Sequence, residues 1–168
     1  IESYTYIPAM GFGVAAVTFV GVSLGEGNPD RAKMYTFLSN RVATVCMVLI
    51  GAVFFVFAPQ FVSLFTKTEE VQTMAVQVLR LIAFFQPFSA LTQVLTSALQ
   101  GAGDTRFPMV ATMIGIWGIR VGIGYLFAVV CRWGLFGVWC GYGLDLAIRS
   151  ILLLIRFERG KWKQIQLS

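Results

Sequence analysis

Five long apolar stretches fill almost the whole of this 168-residue chain, and each is bounded by charged or turn-forming residues. A helix needs about 20 residues to cross the hydrocarbon of a bilayer, and each stretch reaches that length. The pattern predicts spans over residues 4–25, 42–66, 76–100, 108–131 and 134–156, followed by a basic tail over 157–168. The expected fold class is therefore all-α, a polytopic transmembrane helical bundle.

Composition supports a membrane protein and argues against an enzyme. A chain with 57% hydrophobic and 12% charged residues is too apolar for a water-soluble domain of this size. There is no histidine, and Cys46, Cys131 and Cys140 lack metal-ligand spacing, so neither a base-activated nucleophile nor a metal site is indicated. We expect no catalysis and no cofactor. The chain begins at Ile1 without the features of a signal peptide, and we expect it to be a fragment.

Basic residues concentrate at alternate ends of the spans. They follow the first, third and fifth spans, at Arg31, Lys33, Arg41, Arg106, Arg156, Arg159, Lys161 and Lys163. The positive-inside bias predicts that these segments are cytoplasmic. In the cell membrane the N-terminus would then lie outside the cell and the C-terminus in the cytoplasm. Because the cations sit at membrane boundaries, the bilayer is the expected partner and nucleic acid is not. Trp162, between Lys161 and Lys163, is predicted to anchor the tail at the lipid interface.

Turn-forming residues lie between the spans. Gly27 and the cap Asn28 precede Pro29, which predicts a short cytoplasmic helix before the second span. Asp104 or Thr105 is expected to cap the fourth span.

The turn over residues 131–134 is so short that the fourth and fifth spans should form a helical hairpin. Glycine pairs four residues apart predict close helix approach, at Gly21 and Gly25, Gly118 and Gly122, and Gly137 and Gly141. Arg80, at the outer start of the third span, is expected to extend to the interface.

A proline interrupts the third span. Pro87 should kink the helix and free a carbonyl one turn back, at Ala83. Four polar residues lie around this position and should point inward: Gln86, Ser89, Thr92 and Gln93. They either satisfy the broken helix locally or line a substrate cavity, and the sequence leaves both possibilities open.

Three charges fall inside the last two spans. Arg120 and Asp145 lie at similar distances from the turn that joins these spans, which makes an ion pair between them geometrically available. Arg149, four residues after Asp145, is a second candidate partner. An unpaired charge at this depth costs at least about 2.5–3.5 kcal/mol, so pairing is expected. The cluster either holds two helices together or makes Asp145 a proton or cation site. A neighbouring guanidinium favours the charged form of the carboxylate, which suits the structural role better.

Four segments in order carry a resemblance that covers essentially the whole chain. They are VGVSLGEGNPDRAK at 20–33, LFTKTEEV at 64–71, LQGAGDTRFP at 99–108, and GVWCGYGLDLAIRSILLLIRFERGKWK at 137–163. Together they resemble the C-terminal half of a multidrug and toxic compound extrusion (MATE) transporter. The third segment is the most specific match.

The resemblance implies a twelve-helix fold in two lobes that exports cationic drugs or toxic compounds in exchange for protons or sodium ions. This chain would supply most of the second lobe, with the N-terminal lobe as its missing partner. Members of the family place coupling carboxylates in the first helix of the first lobe, or in the first and fourth helices of the second lobe. The fourth helix of the second lobe corresponds to the third span here, which has no acid. The resemblance therefore implies that the coupling-ion site lies in the missing part, or that Asp145 takes the role.

Two other functions remain open from the sequence. A lipid-linked sugar flippase of the same broad superfamily should show more cationic residues facing its cavity, and only Arg120 and Arg149 could serve that here. A non-transporting membrane assembly subunit is the second alternative.

Overall fold

A computed structural model describes the backbone of residues 2–160 and 162, and side chains from Ile7 onward. Within these residues the chain is helical and contains no strand. Five helices are long and apolar enough to cross a membrane. The predicted all-α, polytopic transmembrane bundle is confirmed.

The helices follow one another with short connections. They are α1 (Glu2–Gly25), α2 (Pro29–Val56), the short α3 (Ala58–Ser63), α4 (Glu69–Gly101), α5 (Arg106–Ile114), α6 (Gly122–Tyr125) and α7 (Gly134–Glu158). Two π-helical segments, Gly115–Val121 and Leu126–Val130, join onto α5 and α6. These four consecutive segments form one continuous rod over Arg106–Val130, which we call the composite helix.

The helix that contains the second span begins earlier than the predicted span. Asn28 caps α2 as expected, since its Oδ1 accepts a hydrogen bond from the backbone N–H of Arg31 at 3.0 Å. The separate cytoplasmic helix predicted after Asn28 is wrong, because α2 continues unbroken from Pro29 to Val56. Arg41 and its neighbours are compatible with a helix, and no glycine or proline interrupts the segment before the span.

The second span also ends earlier than residue 66. The helix stops at Val56 and restarts as α3, with Pro59 in the first turn of α3. Because proline lacks an N–H and its ring clashes with the preceding turn, it is favoured at a helix start rather than in an interior. α4 then begins at Glu69, seven residues before the predicted start at 76, with Glu69 and Glu70 at its positive end.

α4 lies at the centre of the bundle. It packs against α1 and α2 on one side and against α7 on the other, while the composite helix packs mainly on α7. Large apolar side chains such as Leu49, Phe84 and Trp117 remain exposed on the outer faces. Such surfaces are stable only in lipid, so the chain is a multi-pass membrane protein.

Glycines permit several close helix contacts. A Cβ added at Gly137 would lie 2.6 Å from the backbone of Phe127, and one at Gly141 would lie 2.8 Å from Gly124. This predicted glycine pair therefore does bring α7 against the composite helix, which confirms the hairpin. By contrast, Gly118 and Gly122 meet no neighbouring helix within 4 Å among the described residues.

Asp104 stabilises the end of the bundle where α4 meets the composite helix. Thr105 occupies the predicted cap position, but its side chain makes no cap hydrogen bond. The Asp104 carboxylate instead accepts hydrogen bonds from Arg156 of α7, with Nε and Nη2 each 2.8 Å from Oδ2. The guanidinium of Arg156 also lies 5.0 Å from the ring centroid of Phe107. An ion pair thus joins the loop to the last helix.

Trp162 is fully buried, which contradicts its predicted place at the lipid interface. Its ring stacks on Phe157 with centroids 4.9 Å apart, and its Nε1 donates to the Phe157 carbonyl at 2.7 Å. The ring packs into an apolar cluster with Leu99 and Leu153, because α1, α4 and α7 leave an apolar site there. Lys161 and residues 163–168 lie outside the described residues, and the basic tail stays a prediction.

Arg80 is exposed near the start of α4, with its guanidinium 5.3 Å from the ring centroid of Phe55. This contact places the charged guanidinium itself against the ring, a cation–π geometry. The extension of Arg80 toward the membrane interface stays a prediction.

Candidate functional site

The three charges within the last two spans form one cluster between α7 and the composite helix. Asp145 of α7 is fully buried, and its Oδ2 lies 2.5 Å from Nη2 of Arg149. Arg120 of the composite helix places Nη2 at 3.5 Å from the same oxygen. The ion pair expected between Arg120 and Asp145 is therefore present, and Arg149 is the nearer partner.

Close backbone packing brings these side chains together. Gly115 faces Asp145, and a Cβ at this position would overlap Oδ1 of the carboxylate. One turn further along the interface, a Cβ on Gly141 would lie 3.1 Å from the Arg120 carbonyl. The two helices can approach this closely only because both positions lack side chains.

Arg120 lies in the π-helical segment Gly115–Val121. A π-helical turn widens the helix and shifts the side chains that follow by about one position, and such turns occur frequently at functional sites. A purely α-helical span was expected here. The apolar pattern of the sequence does not distinguish the two helix types, so this feature was missed.

Further contacts surround the cluster. The guanidinium of Arg120 lies 4.3 Å from the ring centroid of Tyr142, a cation–π geometry. Arg149 also approaches the hydroxyl of Thr112 on the composite helix, with Nη1 3.4 Å from Oγ1. Three atoms of the cluster are buried without a hydrogen-bond partner among the described residues: Asp145 Oδ1, Arg120 Nε and Arg149 Nε.

The polar residues around Pro87 lie elsewhere in the bundle. α4 runs as one helix through Pro87, and the kink expected there stays a prediction. Gln86 is buried and packs beside Gly51 of α2, whose added Cβ would lie 2.9 Å from the Ala83 carbonyl. The carbonyl that Pro87 leaves without its usual donor therefore faces the backbone of α2.

Two further positions complete this polar group. Gln93 and Ser97 lie beside Gly13 of α1, where an added Cβ would be 3.5 Å from Gln93 Nε2 and 2.7 Å from Ser97 Oγ. Ser89 is half-buried and lies between Gln86 and Gln93 along α4. Gln86 and Gln93 thus lie on the side of α4 that faces α2 and α1, while the inward position of Ser89 stays a prediction.

The charged cluster and the polar group of α4 occupy different helix interfaces. A hydrogen bond from the Thr92 hydroxyl to the Leu146 carbonyl, at 3.4 Å, connects α4 to α7 between them. Among the described residues, no group of three or more histidine, cysteine or acidic side chains could hold a metal ion.

Sequence reasoning missed two contributors to these sites. Gly51 and Gly115 were not singled out, because a lone glycine in an apolar span carries no signal of what will pack on it. The Asp104–Arg156 pair was also missed, since its partners are 52 residues apart in sequence. Comparing the charges just before the fourth predicted span and at the end of the fifth would have indicated this pair.

These features define a polytopic α-helical membrane protein with charged and polar groups enclosed between its spans. The model of the MatE family matches residues 1–126, three quarters of the chain. The chain therefore belongs to the MatE family of multidrug and toxic compound extrusion transporters.

Curated relatives match over nearly the whole chain. A probable multidrug resistance protein NorM of Thermotoga maritima is 30% identical over 98% of the chain, which corresponds to 35% of that protein. Multidrug and toxin extrusion protein 2 of Mus musculus is 28% identical over 98% of the chain and 29% of its own length. The chain thus spans about a third of the length of these relatives.

The fold is shared with solved structures. The eukaryotic MATE transporter AtDTX14 superposes with a TM-score of 0.88 at 24% identity, covering 97% of this chain and 36% of that one. An inward-facing multidrug resistance MATE transporter of the MOP superfamily gives a TM-score of 0.86 at 22% identity, covering 98% of this chain and 38% of its own. At these identities the likeness concerns the fold.

Proposed function

We propose that this chain forms part of a secondary active multidrug efflux transporter, which exports cationic drug-like compounds in exchange for protons or sodium ions. Membership of the MatE family carries the proposal, together with relatives named for multidrug resistance and toxin extrusion. The chain spans about a third of these relatives, so substrate binding and ion coupling belong to a larger assembly that includes it.

We propose that the polar group of α4 contributes to the substrate pathway. Gln86, Ser89 and Gln93 are uncharged hydrogen-bonding groups beside an interior proline, and such groups at membrane depth are stable only against protein or a water-filled cavity. Uncharged amides and hydroxyls impose little charge selectivity. They suit compounds that differ in shape but share apolar bulk.

We propose that Asp145 holds α7 and the composite helix together and is not the coupling carboxylate. Its side chain is fully buried, and its Oδ2 is approached by both Arg149 and Arg120. A transported cation would have to displace two guanidinium groups to reach that oxygen. The coupling-ion site is therefore assigned to a part of the transporter outside this chain.

The test is export of ethidium by cells that carry the transporter containing this chain. We expect ethidium accumulation to fall relative to cells without the protein, and to recover when an ionophore dissipates the proton gradient or when sodium is removed. The ion whose removal restores accumulation identifies the coupling ion. Equal accumulation with and without the protein, at verified membrane expression and across several cationic dyes, would contradict drug export.

The same assay tests the role of Asp145. An Asp145→Asn variant should lower the amount of protein in the membrane but leave transport per molecule, and its dependence on the ion gradient, unchanged. Loss of gradient dependence at normal protein yield would instead assign ion coupling to Asp145.

The flippase alternative is less well supported. The two cationic side chains that the sequence offered for that role, Arg120 and Arg149, both approach Asp145. The names of the relatives also favour drug export. A non-transporting assembly role would show as intact membrane insertion without movement of any tested dye.

A further inference from the structure

Arg120 carries charge that the described residues do not balance. The cluster contains two guanidinium groups and one carboxylate, which gives a net charge of +1. α4 and the composite helix contribute no further acid at this depth. Arg149 is already close to Asp145 and lies on the same helix, so the surplus falls on Arg120.

The contact between Arg120 and Asp145 is long. Charge-assisted N–H···O bonds are typically about 2.7–2.9 Å between heavy atoms. Arg120 Nη2 lies 3.5 Å from Oδ2, whereas Arg149 Nη2 lies 2.5 Å from it. Asp145 is therefore primarily the partner of Arg149, and most of the hydrogen-bonding capacity of Arg120 is left for another acceptor.

The position of Arg120 makes an unmatched charge unfavourable. It lies 14 residues after Arg106 and 10 before Val130 in the composite helix, about 21 Å and 15 Å from the two ends. Its side chain cannot span either distance, yet it is 34% exposed in the chain as described. Hydrocarbon is not a stable environment for that exposed part.

We propose that Arg120 is half of a binding site for a carboxylate group that comes from outside the described residues. A carboxylate presents two oxygens that match the parallel N–H groups of a guanidinium. Tyr142 covers one side of the guanidinium at 4.3 Å from its ring centroid and holds it in place. The carboxylate belongs either to an acidic side chain of another membrane segment or to an organic anion that enters between the helices.

The sign of a stability change tests the proposal. Arg120→Met keeps most of the side-chain volume and leaves Asp145 with Arg149, a neutral pair. If Arg120 binds an acidic side chain outside the described residues, its removal leaves that carboxylate unpaired. The melting temperature of the purified transporter should then fall by about 5 °C or more, both in the wild type and in an Asp145→Asn background where the contact with Asp145 is already absent. Arg120→Lys keeps the charge and should recover at least half of that loss.

Two results would overturn the proposal. Without a further carboxylate, Arg120→Met in the Asp145→Asn background removes an unpaired cation, so the melting temperature would not fall there, and benzoate would not raise the melting temperature of the wild type. Equal losses in the Met and Lys variants would show that packing rather than charge is responsible. A Met variant that fails to accumulate while the Lys variant folds counts as a fall in stability.

Titration with benzoate, a simple aromatic carboxylate, distinguishes the two sources. If the carboxylate is a soluble organic anion, benzoate should raise the melting temperature of the wild type and not that of Arg120→Met. If it is an acidic side chain of the protein, benzoate should change neither protein, while the Met variant remains less stable. Sodium chloride at equal ionic strength is the matched control.

Discussion

Gly115 is predicted to determine whether the charged cluster can form. A Cβ at this position would overlap Oδ1 of Asp145 and lie 3.3 Å from its Cγ and 3.5 Å from Nε of Arg149. Gly115→Ala therefore forces the carboxylate to move away from the composite helix. Asp145 is fully buried and has no exposed region into which it can turn.

The expected magnitude combines two opposing terms. Overpacking a close contact costs about 1–3 kcal/mol, and weakening a buried ion pair adds to this. Replacing glycine by alanine inside a helix recovers about 1 kcal/mol of intrinsic propensity. The net expectation is a loss of about 2 kcal/mol, which corresponds to a fall in melting temperature of about 4–8 °C for a chain of this size.

Gly118→Ala is the matched control. Gly118 lies three residues away in the same π-helical segment, and its added Cβ has its nearest contact at an ordinary 3.9 Å, with Ile114. The two variants share the propensity gain, so the difference between their melting temperatures isolates the effect on Asp145. The measurement is thermal unfolding of the purified protein in detergent, followed by tryptophan fluorescence.

A double-mutant cycle completes the test. In the background of Asp145→Ala the overlapping carboxylate is gone, so Gly115→Ala should be no worse than Gly118→Ala. If Gly115→Ala matches Gly118→Ala in the wild-type background as well, the predicted contact between Gly115 and Asp145 is absent in the folded protein, and the reasoning is refuted.

Three further changes should lower stability for separate reasons. Gly51→Ala places a Cβ 2.9 Å from the Ala83 carbonyl and should cost about 1–3 kcal/mol by separating α2 from α4, measured by thermal unfolding. Asp104→Asn weakens the partly buried pair with Arg156 and should cost about 1–3 kcal/mol, which a cycle with Arg156→Gln can assign to the pair. Trp162→Ala removes a fully buried ring and should cost about 3–5 kcal/mol, read from the same melting curves.

Each of these has a control and a contradicting outcome. Gly11→Ala meets nothing within 4 Å and should be neutral or slightly stabilising, so an equal loss there would contradict the assignment to Gly51. Additive effects of the Asp104 and Arg156 changes would mean that the pair contributes nothing. A Trp162→Ala protein as stable as the wild type would contradict the burial of Trp162 and support its predicted place at the lipid interface.

The sequence by itself determined the class of fold and the approximate number of spans. Apolar stretches of membrane-crossing length leave few alternatives, because each backbone amide inside a bilayer must be paired within its own helix. The depth of Arg120 and Asp145 could also be read from sequence, since a regular rise per residue converts distance from the short turn at 131–134 into depth. Their ion pair was predicted on that basis and is present.

Only the tertiary structure decided how the helices meet. Residue spacing could not show that Arg149 is the nearer partner of Asp145, that Gly115 makes room for the carboxylate, or that Trp162 turns inward. Each outcome depends on which face of one helix meets which face of another. Distant residues set that geometry through packing, whereas the apolar pattern within a single span is the same whether its neighbour is lipid or protein.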